Sequence, residues 1–184
     1  GNVATPAFMS VATQATVKGL LPEEVESLGA EIVLSNAYHL YLRPGVDAVV
    51  RLGGLHRFMG WSKPILTDSG GFQAFSMGAL RKIDEDGIRF RSHIDGSEHR
   101  FGPELAIANQ RGLGADIIMC LDQCIAHGVS KAEVRHAMDR THRWAQICYD
   151  SHQASGRFDN HALFGIVQGG AFSDLRDESA RHIT

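Results

Sequence analysis

The sequence predicts an α/β fold with a parallel sheet, and three features of its 184 residues support this. Short apolar runs alternate with helix-forming stretches, they lack clean period-2 alternation, and polar residues follow four of them. Buried parallel strands that alternate with helices have this pattern. The predicted strands are Ala7–Val11, Ile32–Leu34, Ile65–Thr67, Ile117–Leu121 and Leu163–Val167.

Helix signals lie between these strands. The longest predicted helix, Lys131–Ser151, is preceded by Ser130 and carries Glu133, which together have the spacing of a capping box. Two other predicted helices, Pro22–Leu28 and Pro103–Leu113, begin with proline and are followed by glycine, and the first of them also has two glutamates in its first turn. The fourth predicted helix is Ser173–Thr184.

The segment Arg81–Arg100 interrupts this alternation. Its Asp86-Gly87 and Asp95-Gly96 pairs are hairpin turn signals, so we expect an antiparallel hairpin insertion after the third strand. A (β/α)8 barrel typically has about 250 residues and eight strands, so five strands correspond to about two-thirds of one. Residues 1–184 would then form a single, incomplete TIM-barrel domain, although an open doubly wound sheet also fits the pattern.

Composition narrows the class of protein. No apolar run approaches the roughly 20 residues of a membrane span, and no signal segment opens the chain, so we expect a cytoplasmic protein without a membrane partner. The three cysteines are expected to be free thiols. A net charge of −3 offers no electrostatic argument for binding nucleic acid.

Polar side chains follow four predicted strands. They are Asn36, Asp68, Asp122 and Gln168. A single strand-end polar residue is more often a helix cap or turn residue, but four of them would converge on the carboxyl-end face, where ligands bind. We therefore expect a ligand site there, and we call these four residues the strand-end site.

The segment with the most candidate functional residues follows the third strand. Asp68 is followed by Ser69 and then by Gly70 and Gly71, which would let backbone N–H groups approach a ligand closely. Phe72 could stack on a planar ring, and Gln73 offers both a donor and an acceptor. Asp68 could act as a general acid or base if partial burial raised its pKa.

Asp122 and Gln168 are together complementary to the edge of guanine. A carboxylate can accept from N1–H and N2–H, and an amide can donate to O6. The backbone N–H groups of Gly169 or Gly170 could add donors. The Gln168-Gly169-Gly170 segment could equally form a phosphate-cradling turn.

Several blocks of sequence, in a fixed order, resemble one family. They include Thr5-Pro6-Ala7-Phe8-Met9, Asn36-Ala37-Tyr38-His39-Leu40, Leu66 to Gln73, Leu121-Asp122 and Phe164 to Gly170. The chain resembles tRNA-guanine transglycosylases (queuine tRNA-ribosyltransferases), over the N-terminal and central part of the catalytic barrel. These enzymes exchange guanine at the wobble position of tRNA for a 7-deazaguanine.

The resemblance implies a (β/α)8 barrel with insertions and assigns roles to residues. Asp68 matches the general acid/base, while Ser69, Gly70, Gly71 and Phe72 match the lining of the base pocket. Asp122 and Gln168, with Gly169 beside them, match the positions that read the base. Cys124 matches a pocket cysteine of bacterial enzymes, which favours the precursor base preQ1 over queuine.

The resemblance also implies what this sequence does not contain. The nucleophilic aspartate and the cysteine and histidine ligands of a structural Zn²⁺ belong to later blocks without a counterpart here, so this chain alone is expected to be inactive. The implied partners are tRNA and the guanine or 7-deazaguanine base, and the full-length protein is expected to be a homodimer. Local departures from the family pattern are Ser10, Ala12, Ser35, Ala37 and Gln123.

Two other functions remain open at this point. A non-catalytic partner subunit that positions tRNA would share the fold. An archaeosine-type transglycosylase would act on the D-arm of tRNA and carry an additional RNA-binding domain.

Overall fold

A computed structural model describes residues 2–77, 82–156 and 160–184 and contains two separate sheets. The strands are β1 (Ser10–Val11), β2 (Val33–Ser35), β3 (Ile65–Thr67), β4 (Lys82–Asp84), β5 (Gly87–Arg91), β6 (Glu98–Phe101), β7 (Ile117–Met119) and β8 (Ala162–Phe164). The helices are α1 (Pro22–Ser27), α2 (Ala37–Leu42), α3 (Val46–Arg51), α4 (Gly54–Met59), α5 (Gly71–Met77), α6 (Pro103–Leu113), α7 (Lys131–Ala154) and α8 (Ser173–Ile183).

The five predicted strands form one parallel sheet in the order β1-β2-β3-β7-β8. This confirms the predicted α/β class and its parallel sheet. Only β3 has its predicted bounds, and the other four strands are shorter than predicted or shifted. Pairing still extends one residue beyond β7, where the Cys120 N–H donates to the Phe164 carbonyl over 2.9 Å.

Helices cover one face of the parallel sheet. Val33 and Ile65 pack against Leu40, Leu55 and Trp61 on the side of α2 and α4. Further along the sheet, a second buried cluster joins Ile118 to α6 and α7. Its other main members are Ile107, Trp144 and Cys148.

The opposite face of the sheet is apolar but open. Register places Val11, Leu34, Leu66, Ile117 and Ala162 side by side on this face. Val11 and, two residues beyond Ala162, Phe164 are 53% and 50% exposed. No helix among the described residues covers these two side chains, although parallel sheets normally have both faces buried.

The insertion after β3 is a three-stranded antiparallel sheet, β4-β5-β6, rather than one hairpin. Its first turn is Glu85–Asp86, so Gly87 begins β5 instead of lying in the turn. Ile88, Phe90 and Phe101 are buried in the same cluster as Trp144, whose indole N–H donates to the Glu85 carbonyl over 2.7 Å. Arg81, where the predicted insertion begins, lies outside the described residues.

The long helices and the short helix α1 agree with prediction. α6 has the predicted bounds, α7 continues three residues beyond its predicted end, and α1 and α8 each end one residue early. The four short helices α2 to α5 were missed because six or seven residues are too few for a clear helical period and, unlike α1, none of them begins with proline. Within the described ranges, no helix has the length and apolarity required to cross a membrane.

The predicted capping box of α7 is confirmed. The Ser130 hydroxyl accepts from the Glu133 N–H at 3.3 Å, and the Glu133 carboxylate accepts from the Ser130 N–H at 3.0 Å.

We predict that Ser130→Ala in the full-length protein lowers the free energy of unfolding by about 1 kcal/mol, because a backbone N–H at the start of the helix loses its acceptor. Urea denaturation measures this, and an unchanged midpoint would contradict it.

Candidate functional site

The strand-end site lies at the carboxyl ends of β2, β3, β7 and β8, as predicted. Asn36 and Asp68 directly follow β2 and β3, while Asp122 and Gln168 lie a few residues beyond β7 and β8. Because these strands are parallel neighbours, their ends share one edge of the sheet. The fold therefore brings together side chains that are 132 residues apart in the sequence.

Asp122 is the centre of the hydrogen bonding at this edge. Its Oδ2 accepts from Gln168 Nε2 at 2.7 Å and from the Cys124 thiol at 3.5 Å. Its Oδ1 lies 3.5 Å from the donating hydroxyl of Ser69. The side chain is only 6% exposed, so a negative charge here is held by protein donors instead of bulk water.

Burial raises the pKa of Asp122, and the hydrogen bonds from Cys124, Gln168 and Ser69 oppose that shift. The neighbouring thiol responds to the same carboxylate. Burial and the charge of Asp122 raise the pKa of Cys124 to about 12, so Cys124 stays a neutral thiol and can donate.

Asp68 is held in a different direction from Asp122. Its Oδ1 accepts from the Ala37 N–H at 2.9 Å, and its Oδ2 accepts from the amide of Asn36. Burial raises the pKa of Asp68, while these two bonds, the Gly70 N–H and nearby His39 oppose the shift. Asp68 therefore faces the start of α2, and Ser69, next in the chain, is the residue that turns to Asp122.

Sequence reasoning expected Asp68, Asp122 and Gln168 to meet at one point. The structure joins Asp122 directly to Gln168, whereas among the described hydrogen bonds Asp68 is connected to Asp122 only through its neighbour Ser69.

The two glycines after Ser69 are required by close packing. Gly70 has a φ of +79°, in the left-handed region, and a Cβ there would lie 3.2 Å from Tyr38. A Cβ on Gly71 would lie 3.0 Å from the Asp122 carbonyl oxygen. The sequence predicted that these glycines would let the backbone approach a ligand. In the structure they let the turn pack directly onto Tyr38 and onto the segment that carries Asp122.

Gly169 has a comparable constraint. Its φ is +124°, and a Cβ would lie 2.6 Å from the Arg176 backbone nitrogen. The glycine lets the segment after β8 lie directly against the first turns of α8. Its assignment to base binding stays a prediction.

Phe72 and Gln73 begin α5 but differ in exposure. The Phe72 ring is 59% exposed and is available for stacking on a flat ligand. Gln73 is half-buried, and its Oε1 is a buried oxygen without a hydrogen-bond donor among the described residues.

Two contributors were not identified from the sequence. His39 lies close enough to Asp68 to affect its pKa. The sequence feature that could have indicated this is its position three residues after a strand-end asparagine. Arg140, on the buried side of α7, donates to Gln123 Oε1 at 2.5 Å and to Glu85 at 2.9 Å. It ties the insertion to the residue beside Asp122, and no local motif signals a contact of this kind.

No described residues form a metal centre. Groups of three or more histidine, cysteine, aspartate or glutamate residues that could hold a metal ion do not occur within 2–77, 82–156 and 160–184. Cys124 is bonded to Asp122, and the Cys148 thiol donates to the Pro103 carbonyl at 3.7 Å. The described residues therefore include no cluster of side chains of the kind that would hold the Zn²⁺ implied by the resemblance.

A hydrogen-bonded acid and amide at the carboxyl edge of a parallel sheet offer the acceptor and donor groups that suit a flat, hydrogen-bonding heterocycle. Comparison with known proteins makes the class specific, because the family model "Queuine tRNA-ribosyltransferase" matches residues 1–184. The chain belongs to this family, as its motifs indicated.

Similar curated proteins carry the same name. The chain is 61% identical over 183 residues to the queuine tRNA-ribosyltransferase of Herpetosiphon aurantiacus, covering all of this chain and 46% of that protein. It is 55% identical over 184 residues to the protein of Moorella thermoacetica, covering 48% of its length. The chain thus spans about half the length of the curated relatives it matches.

The raised pKa of Asp122 predicts a pH-dependent effect on stability. Burial disfavours the charged carboxylate, so this group costs no folding free energy below its ordinary pKa of about 3.9 and costs increasingly more as pH rises through its raised pKa. We predict that Asp122→Asn raises the melting temperature of the full-length protein at pH 7. The gain should shrink towards zero near pH 3.

Thermal denaturation of both forms between pH 3 and pH 8 tests this. A variant that is less stable at pH 7, by an amount that does not change on acidification, would show that the carboxylate is needed for the fold.

Proposed function

We propose that the full-length protein is a tRNA-guanine transglycosylase. It would exchange guanine at the wobble position of tRNA for a 7-deazaguanine, preQ1 or queuine, in queuosine biosynthesis. The observation that carries this proposal is the partly buried 2.7 Å contact between Asp122 and Gln168, formed between residues 46 positions apart in a chain of this family.

The Asp122–Gln168 pair suits the hydrogen-bonding edge of guanine. Asp122 Oδ1 has a second lone pair, whereas Oδ2 already accepts from both Gln168 and Cys124. The carboxylate can therefore accept from N1–H and N2–H once Cys124 releases Oδ2. The Gln168 amide has two N–H groups, one of which already donates to Asp122, and the other can donate to O6. Stacking on Phe72 would add about 1–3 kcal/mol.

Asp68 is proposed as the general acid/base. Burial raises the pKa of Asp68, which favours a carboxyl that can give a proton to the departing guanine and then take one from the incoming base. One of its oxygens would need to leave Asn36 or Ala37 to reach a base bound at Asp122. Ser69, Gly70 and Gly71 shape the floor between the two carboxylates.

We propose that residues 1–184 are part of a (β/α)8 barrel that the rest of the full-length protein completes. Sequential strand order and an apolar, uncovered sheet face both support this, since further strands would bury Val11 and Phe164. The nucleophilic aspartate, a structural Zn²⁺ site and a homodimer interface are assigned to the full-length protein by resemblance. This chain alone would then not catalyse base exchange. Because its proposed substrate is tRNA, we propose a cytoplasmic enzyme.

The choice of base is proposed from one residue. Cys124, which lies at hydrogen-bond distance from Asp122, matches a pocket cysteine of bacterial enzymes by resemblance, and this supports preQ1. A non-catalytic tRNA-positioning subunit would have no use for a hydrogen-bonded acid and amide pair complementary to a base.

Exchange of radiolabelled guanine into tRNA by the full-length protein tests the proposal. We predict exchange by the wild type, loss of at least a hundredfold in Asp122→Ala because the base loses its acceptor, and a similar loss in Asp68→Asn because the acid is removed. Asp150→Ala, an exposed aspartate of α7, is the matched control and should retain activity.

Wild-type protein that binds tRNA without exchange would support the partner-subunit alternative. Label incorporated into the D-arm would support the archaeosine-type alternative. Full exchange by Asp122→Ala would refute the role given to that residue.

A further inference from the structure

A buried hydroxyl lies behind the base-reading glutamine. Ser179, on α8, is fully buried, and its Oγ accepts from the Gln168 backbone N–H at 3.0 Å. The same Oγ lies 2.9 Å from Nε2 of His142 on α7. One hydroxyl therefore connects two helices to the backbone of the residue that bonds to Asp122.

His142 holds this hydroxyl in place. The imidazole is buried and stacks on the His182 ring with centroids 4.1 Å apart and planes 13° apart. Burial and the facing His182 lower the pKa of His142, although Asp139 and Glu178 oppose the shift, so the ring is neutral at pH 7. In a neutral ring, Nε2 can accept a hydrogen bond from the Ser179 hydroxyl. The lone pairs of that oxygen are then free to accept from the Gln168 N–H.

Gln168 depends on such an outside contact. It lies between β8 and α8, in a segment without helix or strand, where backbone pairing does not fix its orientation. Gly169 then lets this segment lie against α8, which brings the Gln168 N–H to Ser179. A change at Ser179 would therefore turn the peptide that carries the amide bonded to Asp122.

We propose that Ser179 is a positioning residue for base recognition. Its hydroxyl, oriented by His142, fixes the Gln168 backbone so that the side-chain amide stays aimed at Asp122 and at the base. The inference rests on the proposed function and adds a specificity-determining contact that never touches the substrate.

Steady-state exchange by the full-length protein tests the proposal through three constants. We expect Ser179→Ala to raise KM for guanine about three- to tenfold, as for the loss of one hydrogen bond. KM for tRNA and kcat should change less than twofold, because neither tRNA binding nor the reacting groups involve this hydroxyl. His142→Phe keeps a stacking ring but removes Nε2, and it should raise KM for guanine in the same direction by a smaller factor.

Ser130→Ala is the matched control, a serine that also accepts a backbone N–H but caps the start of α7, 12 residues before His142. It should lower stability without changing KM for guanine. Equal changes in all three constants for Ser179→Ala, or unchanged KM for guanine in both Ser179→Ala and His142→Phe, would overturn the proposal. Absence of exchange by the wild type would instead refute the proposed function, so the two failures are distinguishable.

Discussion

The structure depends on how a buried negative charge at Asp122 is held. A carboxylate this deeply buried is stable only when donors surround it, and Ser69, Cys124 and Gln168 arrive from three separate segments. Each segment follows a different strand or lies beside Asp122 in the chain. The site is therefore a meeting of strand ends, and its geometry changes with any shift of one strand relative to its neighbours.

The turn after β3 controls that geometry most directly. Gly70 and Gly71 allow the turn to touch Tyr38 on one side and the Asp122 carbonyl on the other, so Ser69 reaches Asp122 while Asp68 faces α2. Two adjacent residues thus serve two different partners. That division gives the two buried carboxyls separate sets of hydrogen-bond donors, although burial raises the pKa of both.

Support for the strand ends comes from outside the parallel sheet. Arg140 connects Gln123 to the insertion through Glu85, and Trp144 donates to the Glu85 carbonyl from the same helix. On the other side, α8 supplies Ser179 to Gln168. The insertion, α7 and α8 therefore support the residues around Asp122. This support explains why Arg140 and Ser179, which have no proposed catalytic role, are both polar and buried.

The sequence by itself determined the α/β class, the presence of five parallel strands, the long helices and the identity of the strand-end residues. These follow from local signals, such as apolar runs, caps and the polar residue after each strand, and the family resemblance depends on the same motifs. Only the tertiary structure decided that Asp68 faces Asn36 and Ala37, that Gly71 packs on the Asp122 carbonyl, and that Ser179 and Arg140 support the site. Those contacts join residues from 11 to 55 positions apart or depend on a backbone turn, and a linear pattern contains no distance between such groups. The short helices α2 to α5 were likewise decided by packing, because their few residues are helical mainly through burial against the sheet.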